Sequence, residues 1–164
     1  MLDWNRLVDT EGEKILNYVN KIVSQIENAR DIVQDTFLAC YQNIDRIDEA
    51  YILPWLYRTA HNKAINFIKK NKRLVYGVTP DVVYHDGLEE QESQLKKEAF
   101  VRESFRRLKP KHSMVLDLQY YQKKSYKEIA DITGMSVSAV ESVLVRAKKE
   151  CKKIMQEMGI EFVF

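Results

Sequence analysis

With 164 residues, 45% of them hydrophobic and 30% charged, the chain is long enough to bury a core and too apolar for a disordered tether. Its formal net charge of +2 excludes a uniformly basic polyanion binder, so any contact with nucleic acid must rest on locally concentrated cations. The cysteines Cys40 and Cys151 stand far apart in helical patterns, which excludes a disulfide framework or a zinc site built on paired cysteines; both are expected to be reduced core thiols.

The opening stretch MLDWNRLVDTEGEK carries acids and lacks an apolar centre, so it does not read as a signal peptide, and no apolar run approaches a membrane span. A cytoplasmic protein without membrane insertion is expected. Apolar residues recur at helical rather than alternating spacing, and only five glycines and three prolines interrupt them, so the fold is expected to be all-α. A first helix is predicted over residues 9–26. A second, over 28–44, turns Ile32, Val33, Thr36, Phe37, Cys40 and Ile44 inward. Asp31, Gln34, Asp35 and Leu38 then share its exposed side, where a leucine among carboxylates and an amide forms either a solvated stripe or a protein-docking spot. DRIDEAYIL reads as a loop, and Pro54 starts a third helix, because proline is tolerated in the first turn.

That third helix, predicted to end near residue 72, contains WLYRTAHNKAINFIKKNKR, and no acid occurs between Glu49 and Asp81. Helical spacing places Leu56, Ala60, Ala64 and Phe67 in the core and Trp55, Arg58, Asn62, Asn66, Lys69 and Arg73 on the opposite stripe. Bases need stacking partners and edge hydrogen bonds, and phosphates need cations; this stripe offers all three to single-stranded DNA. A solvated basic face anchored by Trp55 is the other reading. From residue 74 to residue 88 the pattern breaks at Gly77, Pro80 and Gly87, and the segment reads as a linker between domains.

A helix over residues 89–108, a break at Pro110 and a helix over 111–122 follow. Ser125 and Glu128 then form a capping box, Ile129, Ala130 and Ile132 give a short apolar face, Gly134 supplies a left-handed turn, and Ser136 caps a last helix with the seam Val140, Leu144, Ala147 and Cys151. Two short helices joined by a glycine turn make a helix-turn-helix. Lys127, Ser136, Ser138, Glu141, Ser142, Arg146 and Lys149, with Val145 among them, are placed to face DNA; a packing motif without DNA contact is the alternative. No catalytic constellation, metal spacing or phosphate-cradling glycine loop is visible, so no enzyme activity, metal or cofactor is expected. His61, His85 and His112 read as ordinary surface or cap residues.

NARDIVQDTFLACYQNIDRI followed by PWLYRTAHNKAINFIKKNKR resembles region 2 of the bacterial sigma factors, in particular the extracytoplasmic-function (ECF) group of the sigma-70 family. LKPKHSMVLDLQYYQKKSYKEIADITGMSVSAVESVLVRAKK resembles their region 4. The resemblance implies a two-domain promoter-specificity subunit: a region 2 domain over 1–73, a flexible linker over 74–90, a region 4 domain over 91–158 and a tail over 159–164. Its implied partners are core RNA polymerase (clamp coiled coil and flap) and promoter DNA, with room for an anti-sigma factor; the free chain is expected to be monomeric.

By the same resemblance, Asp31, Gln34, Asp35 and Leu38 match the segment that docks on the clamp coiled coil. Trp55, Arg58, Asn62 and Asn66 match the helix that melts and reads the minus-ten element. The NIDRIDEAYIL loop would hold a flipped base, and the last helix would read the minus-thirty-five element. Four positions depart from the family pattern: Glu141 stands where a basic residue is frequent, Val143 where an arginine is, Val145 where a histidine is, and Asn66 where an aspartate is common. The first three weaken duplex phosphate contacts, and Glu141 is suited to accept from a cytosine amine. The closing GIEFVF has no counterpart and is expected to pack on the last domain. A stand-alone helix-turn-helix regulator, dimeric on a palindromic operator, and a helical RNA-binding protein are the rival readings.

Overall fold

The computed structural model describes residues 1–71 and 88–159. Among them lie seven α-helices and no strand: α1 (Trp4–Val23), α2 (Ile26–Gln42), α3 (Ile52–Lys70), α4 (Leu88–Arg107), α5 (Pro110–Leu116), α6 (Tyr126–Thr133) and α7 (Val137–Glu157). The expected all-α class is what the chain adopts. Arg73, His85, most of the expected linker and the residues after Gly159 lie outside the described residues.

The boundaries differ from expectation where a cap or a tertiary contact decides them. The first helix starts at Trp4, five residues early, because the Asp3 side chain accepts from the Arg6 N–H and the Trp4 ring meets Phe37 and Tyr41 with centroids 6.0 and 5.2 Å away. The third starts at Ile52, leaving Pro54 within the first turn, where its missing N–H is not needed. DRIDEAYIL is wound into two short 3-10 turns, Ile44–Arg46 and Glu49–Tyr51, the second capped by Asp48. The predicted 111–122 helix begins at Pro110 and relaxes into a π-helical turn, Asp117–Tyr121, closed by the Gln122 N–H donating to the Asp117 carbonyl at 3.0 Å.

The capping box of Ser125 and Glu128 is formed in both directions, and Ser136 accepts from the Ala139 N–H. Gly134 adopts φ 71°, the left-handed conformation the turn requires. A side chain there would also collide with Tyr51, whose ring lies 2.9 Å from a Cβ built at this position.

The two halves are not separate bodies on a string. α1, α2 and α3 form a bundle around Tyr18, Leu56 and Ala60, and α4 to α7 pack around Val115, Ile129, Val140 and Leu144. The cores then merge: Tyr18 of α1 stacks edge-on against Tyr57 of α3 at 5.1 Å and Phe105 of α4 at 5.6 Å. α3 also packs on α5 and α6. Both cysteines are buried and unbridged, with burial pushing each thiol up to about 11.

Two histidines are not surface or cap residues. His61 is buried against the first bundle with Nδ1 2.7 Å from the Tyr18 hydroxyl, and His112 is buried with Nδ1 3.0 Å from a Glu150 carboxylate oxygen. Their partners are 43 and 38 residues away, so no local pattern announces them. Burial lowers His61 from 6.5 to about 4 and, as the leading cause, raises the Tyr18 phenol well above its ordinary value.

Replacing Gly134 by Ala is expected to destabilise the fold by about 1–2 kcal/mol through the left-handed φ alone, with a further loss from Tyr51. In urea titrations, Gly134→Ala with Tyr51→Ala should recover the second loss and not the first. His61 stays neutral in the fold, so its contribution is complete above pH 6.5 and falls away as pH drops toward about 4, because the unfolded chain takes a proton the folded chain refuses. The full loss amounts to roughly 3 kcal/mol, and His61→Gln should flatten the stability profile over that window relative to the parent.

Candidate nucleic-acid interface

The acid-free helix α3 splits its residues between two faces, as its spacing dictates. Leu56, Ala60, Ala64 and Ile68 are buried; Phe67, expected with them, is half-buried because Ile68 takes the inner position. On the other side Arg58, Asn62, Asn66 and Lys69 are exposed in one continuous stripe. Trp55 is half-buried, its ring resting on the core and its remainder open at the head of the stripe. Neither Trp55 nor Arg58 enters the oily interior. Lys69 and Lys70 occupy the last turn, where cations offset the helix carbonyl dipole and so add local positive potential without internal repulsion from acids.

Arg58 also looks across at the second half of the chain. It lines a cavity of about 560 Å³ with Tyr51, Pro54, Lys109, Pro110 and the helix-turn-helix residues Thr133 to Met135. The basic stripe and the turn of the helix-turn-helix thus face each other.

Helix α7 presents Ser138, Glu141, Ser142, Val145, Arg146 and Lys149 to solvent, and Lys127 is exposed on α6. Val145 is 66% exposed, an apolar residue on an otherwise polar face. Two hydroxyls are partly committed: Ser136 Oγ receives the cap hydrogen bond from Ala139, and Ser142 Oγ donates to the Ser138 carbonyl at 3.1 Å. Val143 is 6% exposed and packs in the seam beside Leu144. Its departure from the family's arginine therefore removes no surface cation, contrary to the expectation that it weakens a phosphate contact.

On α2, Asp31, Gln34 and Asp35 are exposed and Leu38 is 56% exposed in their midst, while Ile32, Val33, Thr36, Phe37 and Cys40 face inward. The acidic stripe lies on a different helix from the basic one, so one bundle carries two surfaces of opposite sign. A polar set that sequence reasoning missed lies between the halves: Lys21 of α1, Asp117, Gln122 and Tyr57 of α3. Its available sign was a lone acid, Asp117, inside the apolar run MVLDL. No group of His, Cys, Asp and Glu among the described residues could hold a metal ion. Nor is any described helix long and apolar enough to cross a membrane.

The family model for sigma-70 region 2 matches residues 7–74, which hold α1 to α3 with both stripes, and that for sigma-70 region 4 matches residues 101–151, which hold the helix-turn-helix. The RNA polymerase sigma factor YlaC of Bacillus subtilis (strain 168) is 33% identical over 151 residues, covering 87% of this chain and 86% of that relative. The chain belongs to the sigma-70 family. Within it the ECF group is indicated by relatives such as the ECF RNA polymerase sigma factor SigW of the same organism, 27% identical over 93% of this chain and 88% of its own length. Among solved structures, CnrH in complex with the cytosolic domain of CnrY shares the fold, with a TM-score of 0.52 and 22% identity over 94% of this chain and 88% of that one. This sigma factor therefore carries both DNA-facing regions in one chain, with the surfaces described above distributed between them.

Proposed function

We propose that this sigma factor docks on core RNA polymerase through Asp31, Gln34, Asp35 and Leu38, and opens and reads the minus-ten element through Trp55, Arg58, Asn62, Asn66, Lys69 and Arg73. It seats α7 in the duplex of the minus-thirty-five element, with Lys127, Ser136, Ser138, Glu141, Ser142, Arg146 and Lys149 around the contact. The functional units are residues 1–73 and 91–158, with 74–90 bridging them along the enzyme. Recognition and strand opening are its contribution; nucleotide chemistry is left to the polymerase, in the cytoplasm. The free chain is a monomer.

The observation that carries this reading is the exposed stripe of α3, where a ring, a guanidinium, two amides and a cation stand in helical register with no carboxylate on the helix. A melted strand presents unstacked bases beside phosphates, and such a stripe meets both at once. The energy needed to extrude a base is a few kcal/mol, comparable to what stacking and edge contacts return. An exposed leucine framed by acids on α2 suits a docking patch in which one apolar anchor is ringed by charge.

Changing Trp55 and Arg58 together to Ala is expected to abolish open-complex formation, read by permanganate footprinting, while binding to core enzyme stays within about twofold of the parent. Loss of core binding in that double variant would mean the surface has been misassigned. If about four cations meet single-stranded phosphates, log affinity for minus-ten single strands should fall against log salt with a slope near −3. Leu38→Asp should do the converse, weakening core association by about tenfold or more with the salt slope unchanged.

A further inference from the structure

The seam between the halves has a covered end and a polar end. At the covered end Tyr51 seats on Gly134 and Arg58 faces the helix-turn-helix. At the polar end Lys21 Nζ lies 2.9 Å from Asp117 Oδ1, in an ion pair whose carboxylate is 1% exposed and whose lysine is 17% exposed. Gln122 Nε2 donates to Asp117 Oδ2 at 2.9 Å and to the Tyr57 hydroxyl, so one amide ties the ion pair to α3. Lys21 is also held over the Tyr121 ring, 4.0 Å from its centre.

The backbone is bent to build this arrangement. Asp117 opens the π-helical turn, and the wider ring brings Gln122 back beneath its carboxylate. The chain leaves through Lys123 at φ 56°, a left-handed conformation that a non-glycine residue adopts only when its surroundings hold it there. A polar cleft of about 590 Å³, lined by Lys14, Asn17, Lys21, Asp117, Gln122 and Lys124, brings solvent to the edge of the pair. An ion pair in a dry core has no easy route to hydration; one at the wall of a wet cleft can part into water as the halves separate.

We infer that Lys21, Asp117, Gln122 and Tyr57 form a latch that keeps the free sigma factor closed, with the stripe of α3 turned toward the helix-turn-helix, and that core enzyme breaks this latch to spread the two DNA-facing units. What the seam covers rests on the proposed function; the latch itself is a conformational property, read without DNA.

Lys21→Met leaves Asp117 without its cation, and Asp117→Leu leaves Lys21 without its anion. In small-angle scattering of the full chain, each is expected to raise the radius of gyration from about 15 Å, the value for a compact chain of this length, toward about 20 Å, with helicity by circular dichroism retained. Lys21→Met with Asp117→Leu should return to the compact value, since an apolar pair tolerates the site that a single charge does not. If a single variant loses its helicity, Gln122→Leu, which spares the ion pair, should expand the chain in its place. Opened variants should bind minus-thirty-five duplex without core enzyme about tenfold more tightly than the parent. Parental radii in the folded single variants and in Gln122→Leu overturn the latch, as does a double variant as expanded as the singles. Expanded variants that support no promoter-dependent transcription with core enzyme, alongside a parent equally inactive, would leave the latch standing and remove the proposed function; unchanged radii with an active parent would do the reverse.

Discussion

Asp117 sits 1% exposed between two helical units, and a charge so far from water must be met inside the protein. The cation that meets it, Lys21, comes from the other half of the chain, 96 residues earlier. Removing one partner of a buried pair typically destabilises the surrounding arrangement by roughly 3–5 kcal/mol, far more than an exposed pair contributes. Here the arrangement at stake is the closure of one unit on the other. Each unit keeps its own core when they part: Leu56, Ala60 and Ile22 remain with the first, and Val140, Leu144 and Ile129 with the second. The seam is thus a place where a few polar contacts decide between two assemblies of intact pieces.

The aromatic cluster at the seam works with that polar set. Tyr18 touches Tyr57 within its own bundle and Phe105 across the seam, and burial leaves its hydroxyl seeking a partner, which His61 supplies. Apolar contact gives the closed form area without strict direction. The ion pair and the amide of Gln122 give it direction, since they fit one registration of α5 and its π turn against α1 and α3. If the closed form outweighs the open one by a hundred to one, every partner of the open form is bound about a hundredfold more weakly than its intrinsic affinity allows. A sigma factor that must not occupy promoters by itself gains from this, and a large, multivalent enzyme surface can overcome it.

The legibility of the sequence followed the range of the interactions involved. Ser125, Glu128, Gly134 and Ser136 act within four residues of themselves, so cap, turn and helix-turn-helix could be read directly. Helical spacing likewise sorted α2 and α3 into inner and outer stripes, because burial on a regular helix is a matter of phase. Failures began where a partner was distant. The start of α1 depends on Trp4 meeting Phe37 and Tyr41, His61 depends on Tyr18, and His112 on Glu150. Val143 was placed on the DNA side by comparison with a family pattern, although its phase beside Leu144 puts it in the seam. Closure of the two units left no periodic trace, only the oddity of an acid in an apolar run.

The recognition helix shows why closure and dependence on a larger enzyme belong together. Its outward face carries Arg146 and Lys149, joined by Lys127 from α6, but Glu141 opposes them. Ser142 has already given its hydroxyl proton to the Ser138 carbonyl, and Ser136 accepts a cap hydrogen bond, so part of the hydroxyl capacity for base edges is taken by the helix itself. Three phosphate contacts correspond to a salt slope of only about −3 on duplex DNA, the range of weak, easily screened association. Adding a cation at Val143 cannot mend this, because that side chain points inward. A duplex reader this sparse discriminates sequence only when something else holds it at the groove. The physical requirement is therefore a tether to the polymerase through the opposite unit, and that tether is useful only once Asp117 and Lys21 have let the two units part.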